Sequence, residues 1–195
     1  MKRAPQPVPL AKSYLLLNHG PVTLVTSAHG ERRNVMSASW AMPLDFDPPK
    51  VLLVVDRQTY TRQLIDASGE FALNLPCRAL ADKALAAGSI SGRDLDGSDK
   101  FSRIGFETFA ASRIAAPLVA GCAAWLECRV LPEPANEKRY DLFIAEVLAA
   151  WADPEIFSEG RWHFRDDKQK TIHYQAGGMF FETGDPFECR EPAVQ

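Results

Sequence analysis

The sequence predicts a mainly β domain: a small antiparallel barrel, closed or nearly closed on itself, with a few short helices packed outside it. Three observations lead there. Strand-like runs recur along the chain, at 21–27, 35–42, 51–55, 71–75, 122–130 and 140–151. The helical stretches between them are short, and no alternating βαβ units appear, which argues against a doubly wound fold.

The first dozen residues carry Pro5, Pro7 and Pro9 and read as an extended arm (1–12). A single domain spans 13–185, and a polar tail follows from Pro186 to 195. Val22, Thr23, Val25 and Thr26 mark a first strand, and Ala28-His29-Gly30-Glu31 a turn into a second strand near Val35–Met42, so the two make a β-hairpin. Val51–Val55 is apolar on both faces, as a strand inside a covered sheet must be, and Pro48-Pro49 fixes where it begins. Tyr60–Ser68 reads as a helix, with Thr59 as N-cap and Gly69 as stop. Arg78–Ala87, rich in Ala and Leu and ending at Gly88, reads as a second helix. The Gly/Ser/Asp-dense stretch Ser89–Ser98 reads as a loop, and Lys100–Ile104 as a short helix. Further on, Cys122, Ala124, Leu126, Cys128 and Val130 alternate onto one face of a long strand, and Phe143, Ala145, Val147, Ala149 and Trp151 onto one face of another. These two are expected to pair antiparallel across a loop from Pro132 to Lys138.

Composition narrows the function classes. A 46% hydrophobic and 24% charged chain of 195 residues makes an ordinary packed core. A net charge of −3 argues against a nucleic-acid binder, which needs a basic stripe. The longest apolar run, Val51–Val55, is far short of a membrane span, and the N-terminal residues lack the apolar segment of a secretory signal, so the expected location is the cytoplasm. Cys77, Cys122, Cys128 and Cys189 form no C-x-x-C pair and no metal-ligand rhythm with the histidines, so buried reduced thiols are expected. P-loop, G-x-G-x-x-G, H-E-x-x-H and G-x-S-x-G signatures are all missing, which weakens hydrolase, kinase and classical dehydrogenase readings.

What remains is a group of small polar residues on the first hairpin, Thr26, Ser27, Asn34, Ser37 and Ser39, closed by Trp40. A second group, Arg57-Gln58-Thr59-Tyr60-Thr61, sits where a buried strand gives way to a helix. A helix start presents free N–H groups and the positive dipole end, which suits a phosphate monoester. The dipole supplies only about 0.3–1 kcal/mol and a hydrogen bond to a charged group about 1.5–3, so side-chain donors must contribute. Arg57, Thr59 and Thr61 are the expected donors, with Lys100 as a further cation.

These residues resemble the flavin reductase-like, FMN-binding split-barrel family, and within it the flavoredoxin-like branch. The resemblance is carried by Gly20-Pro21-Val22-Thr23-Leu24-Val25-Thr26-Ser27, Asn34-Val35-Met36-Ser37-Ala38-Ser39-Trp40, Pro48-Pro49, Tyr60-Thr61, Ser68-Gly69-Glu70-Phe71-Ala72-Leu73-Asn74-Leu75-Pro76, Asp99-Lys100-Phe101 and Phe143-Ile144-Ala145-Glu146-Val147. It implies a homodimer of split β-barrels, each holding FMN near the subunit interface. Asn34 and Trp40 match positions beside the isoalloxazine ring, Thr61 a phosphate-side position and Lys100 a phosphate-binding cation, while Met36, Ser37, Ala38 and Ser39 between them offer further contacts. The closing segment His173–Phe180 also matches, with Phe180 placed to cover the ring. Where the family often has a histidine before the Phe-Ile-x-Glu-Val strand, this chain has Tyr140-Asp141.

The implied activity is NAD(P)H-dependent flavin reduction, with NADH or NADPH passing hydride to flavin N5. The missing acid–base dyad is then expected, since the protein only positions and polarises the ring. A flavin electron carrier serving an electron-accepting protein or an oxygenase needs the same pocket. A haem-binding or scaffold split barrel is the third reading, with His19, His29, His163 and His173 as candidate axial ligands.

Overall fold

The computed structural model describes residues 4–16, 20–95 and 97–189; His19 lies outside them. Strand β1 (Gln6–Val8) leads into a 3-10 turn (Leu10–Leu16), and then come β2 (Thr23–His29), β3 (Arg32–Ala38), β4 (Ala41–Phe46) and β5 (Pro49–Val54). Helix α1 (Tyr60–Ser68), β6 (Glu70–Leu75), α2 (Ala81–Ser89) and α3 (Lys100–Ile104) follow. Two short strands, β7 (Thr108–Phe109) and β8 (Leu118–Val119), precede β9 (Ala124–Leu131), α4 (Pro134–Tyr140) and the long β10 (Leu142–Ala152). The chain ends in two hairpins, β11 (Phe157–Ser158) with β12 (Arg161–Trp162), and β13 (Ile172–Ala176) with β14 (Met179–Glu182). No helix among the described residues is long and apolar enough to cross a membrane.

The main sheet runs β3-β2-β6-β9-β10-β5-β4, with β1 added to β10. Its two outermost strands, β3 and β4, are consecutive in sequence, joined through Ser39 and Trp40 alone. A sheet whose opposite edges are tied by so short a link has to curl round on itself. The seam of the barrel therefore falls at Ser39-Trp40. The expected single strand Val35–Met42 is accordingly two strands, broken at that corner. It still runs on across the seam as one stretch of sequence, which is why local periodicity conceals the break.

Val25, Val51, Leu53, Phe71, Leu73, Leu126, Cys128, Phe143, Ala145 and Val147 fill the barrel interior. Phe71 and Phe143 are among its largest fully buried side chains, and truncating such a ring costs about 3–5 kcal/mol. A second cluster, including Leu24, Val35, Ala84, Phe101, Leu118 and Trp125, fills the space between the barrel wall and the helices. Along β10 a bulge between Val147 and Ala149 shifts the alternation, so Ala150 and Ala152 enter the barrel core while Trp151 turns outward to donate to Glu127 at 2.8 Å. The expected face through Ala149 and Trp151 thus ends at the bulge.

Helix α1 is capped as expected: Thr59 Oγ1 accepts from Arg62 N, and Gly69 closes the helix in the left-handed region. The expected helix from Arg78 instead starts as a 3-10 turn and continues through Gly88 to Ser89. Gly88 lies inside the helix, where a Cβ would make an ordinary contact 3.5 Å from the Ser37 Cβ. The expected loop 132–138 holds α4, started by a proline at its first turn and closed by Asp141 at φ 55°. The proline-rich arm joins the sheet, Pro7 opposite Trp151. Cys122 lies before β9 and packs in the outer cluster, whereas Cys128 points into the barrel, so the two do not share a face; Cys189 is exposed.

Candidate functional site

Strand β3 pairs only with β2 among the described residues, so its other edge is free of sheet partners and faces the helices. Asn34 and Met36, at alternate positions of β3, line a cleft of about 350 Å³. Across from them lie Gln58, Thr59, Tyr60 and Thr61 at the start of α1, the segment Ala87–Gly92, and Lys100. The sequence brings these together because three chain reversals converge there: the cap of α1, the Gly/Ser segment after α2, and the cap of α3. Arg33 grips Asp99 with two hydrogen bonds, at 2.9 and 2.7 Å, and Asp99 caps α3 through Ser102 N, which fixes Lys100 next to β3. Burial raises the Asp99 carboxyl, but the Arg33 guanidinium and the Ser102 donors outweigh it and hold the group below its usual range.

Lys100 is 3% exposed, and its one hydrogen bond runs from Nζ to the Ala87 carbonyl at 2.9 Å. Burial pushes its pKa down to about 8. Among the described residues this buried cation has no carboxylate partner, and an ammonium has three donors, so it has donors to spare, an arrangement that costs stability unless something anionic completes it. The N–H groups of Tyr60 and Thr61 occupy the first two positions of α1 and have no intrahelical acceptor. Asp56, the carboxylate in the cleft, accepts from Gln58 N at 2.7 Å.

Asn34 is 2% exposed; its Nδ2 donates to Thr61 Oγ1 at 2.8 Å, and its Oδ1 has no partner. Beside it, a Cβ on Gly92 would collide with Asn34 Oδ1 and come within 2.9 Å of Tyr60 Cδ1. Only a glycine lets the backbone pass so close. An orphaned buried amide oxygen is costly in an isolated protein and points to a ligand donor that completes it.

A second cleft of about 220 Å³ adjoins the first through Gly88 and Ser89. Ser37, Ala38 and Ser39 form its floor with Val22, Ala84 and Leu85, and Tyr174 and Phe180 from the last hairpin form its roof. The two rings lie 5.3 Å apart, and Ser37 Oγ donates to the Ala84 carbonyl. Together the clefts make an elongated site along β3, polar and cationic at one end and aromatic at the other.

The structure thus brings Asn34, Met36, Thr59, Thr61 and Lys100 to the cationic end, and Ser37, Ala38, Ser39 and Phe180 to the other. Four expected residues behave differently. Arg57 points away: its Nε donates to Asp141 at 3.0 Å and its Nη2 to the Lys138 carbonyl at 2.8 Å, so Asp141 holds it off the cleft. Thr26 and Ser27 lie on β2, an inner strand, and are fully buried; Thr26 Oγ1 donates to the Pro117 carbonyl at 2.7 Å. Trp40 is 72% exposed at the seam and lines neither cleft of the single chain. His29 and His163 are exposed, His173 is half-buried, and none of the three lines a cleft described above. Gly92, Ser89 and Ser91 are not among the expected site residues, although the Gly/Ser density of 89–98 marks their segment; Tyr60 and Tyr174 fall inside expected segments but carry no role of their own there.

Comparisons with known proteins give the family to which this fold belongs. The family model described as flavin reductase like domain matches residues 16–175. The Escherichia coli K12 protein YddH is 43% identical over 181 residues, covering 91% of this chain and 94% of the relative. The crystal structure of an FMN-binding domain of a flavin reductases-like enzyme from Shewanella baltica OS155 superposes with a TM-score of 0.93 at 42% identity, covering 97% of this chain and all of the other. The flavoredoxin of Desulfovibrio vulgaris (Miyazaki F) shares the fold, with a TM-score of 0.75 at 23% identity over 89% of this chain and 92% of that one. With four-fifths of its length inside the family model and a relative above 40% identity along nearly all of it, the chain belongs to the flavin reductase like domain family.

Proposed function

We propose that this protein binds FMN along β3 and acts as an NAD(P)H-dependent flavin reductase. The observation that carries the reading is Lys100, a buried ammonium with no carboxylate partner among the described residues, in one cleft with the open N–H groups of α1. A phosphate monoester is the complement of that set: dianionic, rich in acceptors and small enough for a helix start. The Thr61 hydroxyl, the open N–H groups of Tyr60 and Thr61 and the Lys100 ammonium would hold it, while the Thr59 hydroxyl stays committed to the cap, donating to the Asp56 carbonyl at 2.9 Å and accepting from Arg62 N. The orphaned Asn34 Oδ1 would accept from the polyol chain, and the free edge of β3 together with Ser37, Ala38 and Ser39 would present main-chain and hydroxyl groups to the ring.

When bound, FMN supplies a two-electron centre that takes hydride from a nicotinamide, chemistry that belongs to the cofactor. The protein's part is orientation and exclusion of water. Phe180 and Tyr174 wall off one side, while the helix segment Ala84–Ser89 closes the back.

The reading includes a homodimer. Trp40, Met42, Leu44 and Phe46, at alternate positions from the seam along edge strand β4, are all exposed, and Met42 pairs with the part-buried Leu52 of β5. So much apolar surface on one edge is characteristic of an interface. A second copy packed there would cover Trp40 beside Ser39, at the ring end of the site.

The test is direct. Purified protein should bind FMN with its visible bands perturbed and should oxidise NADH or NADPH with flavin present. Tight FMN without nicotinamide oxidation would replace the reductase by an electron carrier; no FMN binding would overturn the site itself.

A further inference from the structure

The phosphate end of the site is poorer in positive charge than the sequence beside it. Among the described residues that line that cleft, Lys100 is the one cation and Asp56 the one carboxylate, so its wall offers a dianionic phosphate no net charge. Arg57 stands between Asp56 and Gln58, which both line the cleft, yet it does not line the cleft itself. Its backbone is close by: Thr59 N donates to the Asp56 carbonyl at 2.9 Å and closes a turn over Asp56–Thr59, directly before α1. The ends of such a turn are under about 7 Å apart, so Arg57 is rooted beside the first residues of the helix. Only the direction of its side chain keeps the guanidinium out.

Asp141 sets that direction, and it is firmly built in. It closes α4 at φ 55°, and its carbonyl accepts from Val55 N at 2.9 Å. Its Oδ1 accepts from Arg57 Nε and also lies 3.7 Å from Arg62 Nη1. Arg62 is 6% exposed, sits 4.2 Å over the Phe143 ring, and is further committed to Asp66 at 2.8 Å and to the Val55 carbonyl at 3.2 Å. Of the groups around this carboxylate, the Arg57 side chain, 57% exposed, is therefore the one free to swing elsewhere. An exposed ion pair contributes little by itself, whereas a guanidinium on a phosphate makes strong, often paired hydrogen bonds.

We propose that Asp141 is a positioning residue that withholds Arg57 from the flavin phosphate, so that FMN is held by one cation and leaves more readily than the surrounding sequence would allow. The inference rests on the FMN reading above, because the phosphate is what a released Arg57 would meet. Without the Asp141 carboxylate, Arg57 keeps only the neutral Lys138 carbonyl as a partner, and a phosphate outcompetes that acceptor.

The experiment titrates the full chain with FMN and riboflavin by flavin fluorescence, in the natural sequence, in Asp141→Gly and Asp141→Asn, and in each of these combined with Arg57→Ala. Glycine and asparagine both accept a φ of 55°, so the variants keep the turn after α4, which thermal unfolding checks. The expected result is FMN binding about three- to tenfold tighter in Asp141→Gly, and a smaller gain in Asp141→Asn, whose amide oxygen still accepts from Arg57. Riboflavin should stay within about twofold throughout, and the FMN gain should vanish once Arg57 is alanine and shrink as salt is raised. A purely structural Asp141 would instead weaken both flavins on removal. Three results overturn the proposal while leaving the flavin site standing: FMN affinity unchanged or lower in both single variants, a gain that survives Arg57→Ala, or an equal gain for riboflavin. FMN binding no tighter than riboflavin in the natural chain would instead remove the phosphate site on which it rests.

Discussion

Replacing Lys100 by methionine should stabilise the free protein and weaken FMN at the same time. The fall of the lysine pKa from 10.5 to about 8 corresponds to ~3 kcal/mol of destabilisation at neutral pH. Methionine fills similar space without the charge and forfeits the hydrogen bond to the Ala87 carbonyl, worth ~1 kcal/mol. The net gain is ~2 kcal/mol, or a rise in Tm of about 4–8 °C for a chain of this length. Between about pH 8 and 10.5 the unfolded natural chain binds more protons at this residue than the folded one, so its stability climbs through that window and the variant's advantage disappears above it. Ligand binding should move the other way. Loss of a charged hydrogen bond to the phosphate costs ~1.5–3 kcal/mol, a drop in FMN affinity of roughly ten- to a hundredfold, with riboflavin unchanged within twofold. Thermal unfolding at pH 7 and pH 10 and flavin fluorescence titrations read both effects. A variant that is less stable at pH 7 and loses both flavins equally would refute the reasoning, since Lys100 would then be a structural residue.

Other substitutions probe the rest of the site. In the natural protein FMN affinity should decline as pH rises above about 8, where free Lys100 loses its proton, and Lys100→Arg should flatten that decline in the same titration. Arg57→Ala should change FMN affinity less than twofold, because its guanidinium is held by Asp141 and the Lys138 carbonyl; a tenfold loss would return it to the phosphate site. Gly92→Ala forces a Cβ against Asn34 and Tyr60 and should cost ~1–3 kcal/mol in thermal unfolding along with weaker FMN binding. Met42→Glu with Leu44→Glu should convert the proposed homodimer to a monomer in sedimentation and loosen flavin binding, whereas an unchanged mass would reject the β4 interface.

Much of the fold was readable because its signals are local. Thr59 and Gly69 bracket α1 with side-chain and backbone chemistry that needs no distant partner. The alternation of Ala124, Leu126 and Cys128 against Phe143, Ala145 and Val147 placed β9 and β10 together. The corner at Ser39-Trp40 was not readable, because a strand that crosses a seam keeps its period; only the ladder order shows that β3 and β4 are opposite edges. The bulge in β10 hid for the same reason. Within the site, Asn34, Thr61 and Lys100 were legible by type and by resemblance. Gly92 was not, since a glycine's need for a close approach is a property of the packed chain. Arg57 misled because its position before a helix start fits a phosphate donor, and its capture by Asp141, 84 residues away in sequence, leaves no local trace.

The central claim is that the cleft along β3 binds a flavin through its phosphate. Side-by-side titration of the purified chain with FMN and riboflavin tests it most directly. The account predicts FMN binding at least tenfold tighter than riboflavin near pH 7, with the visible flavin bands perturbed in both complexes. Equal affinity for the two, or a haem spectrum in place of a flavin one, would contradict it.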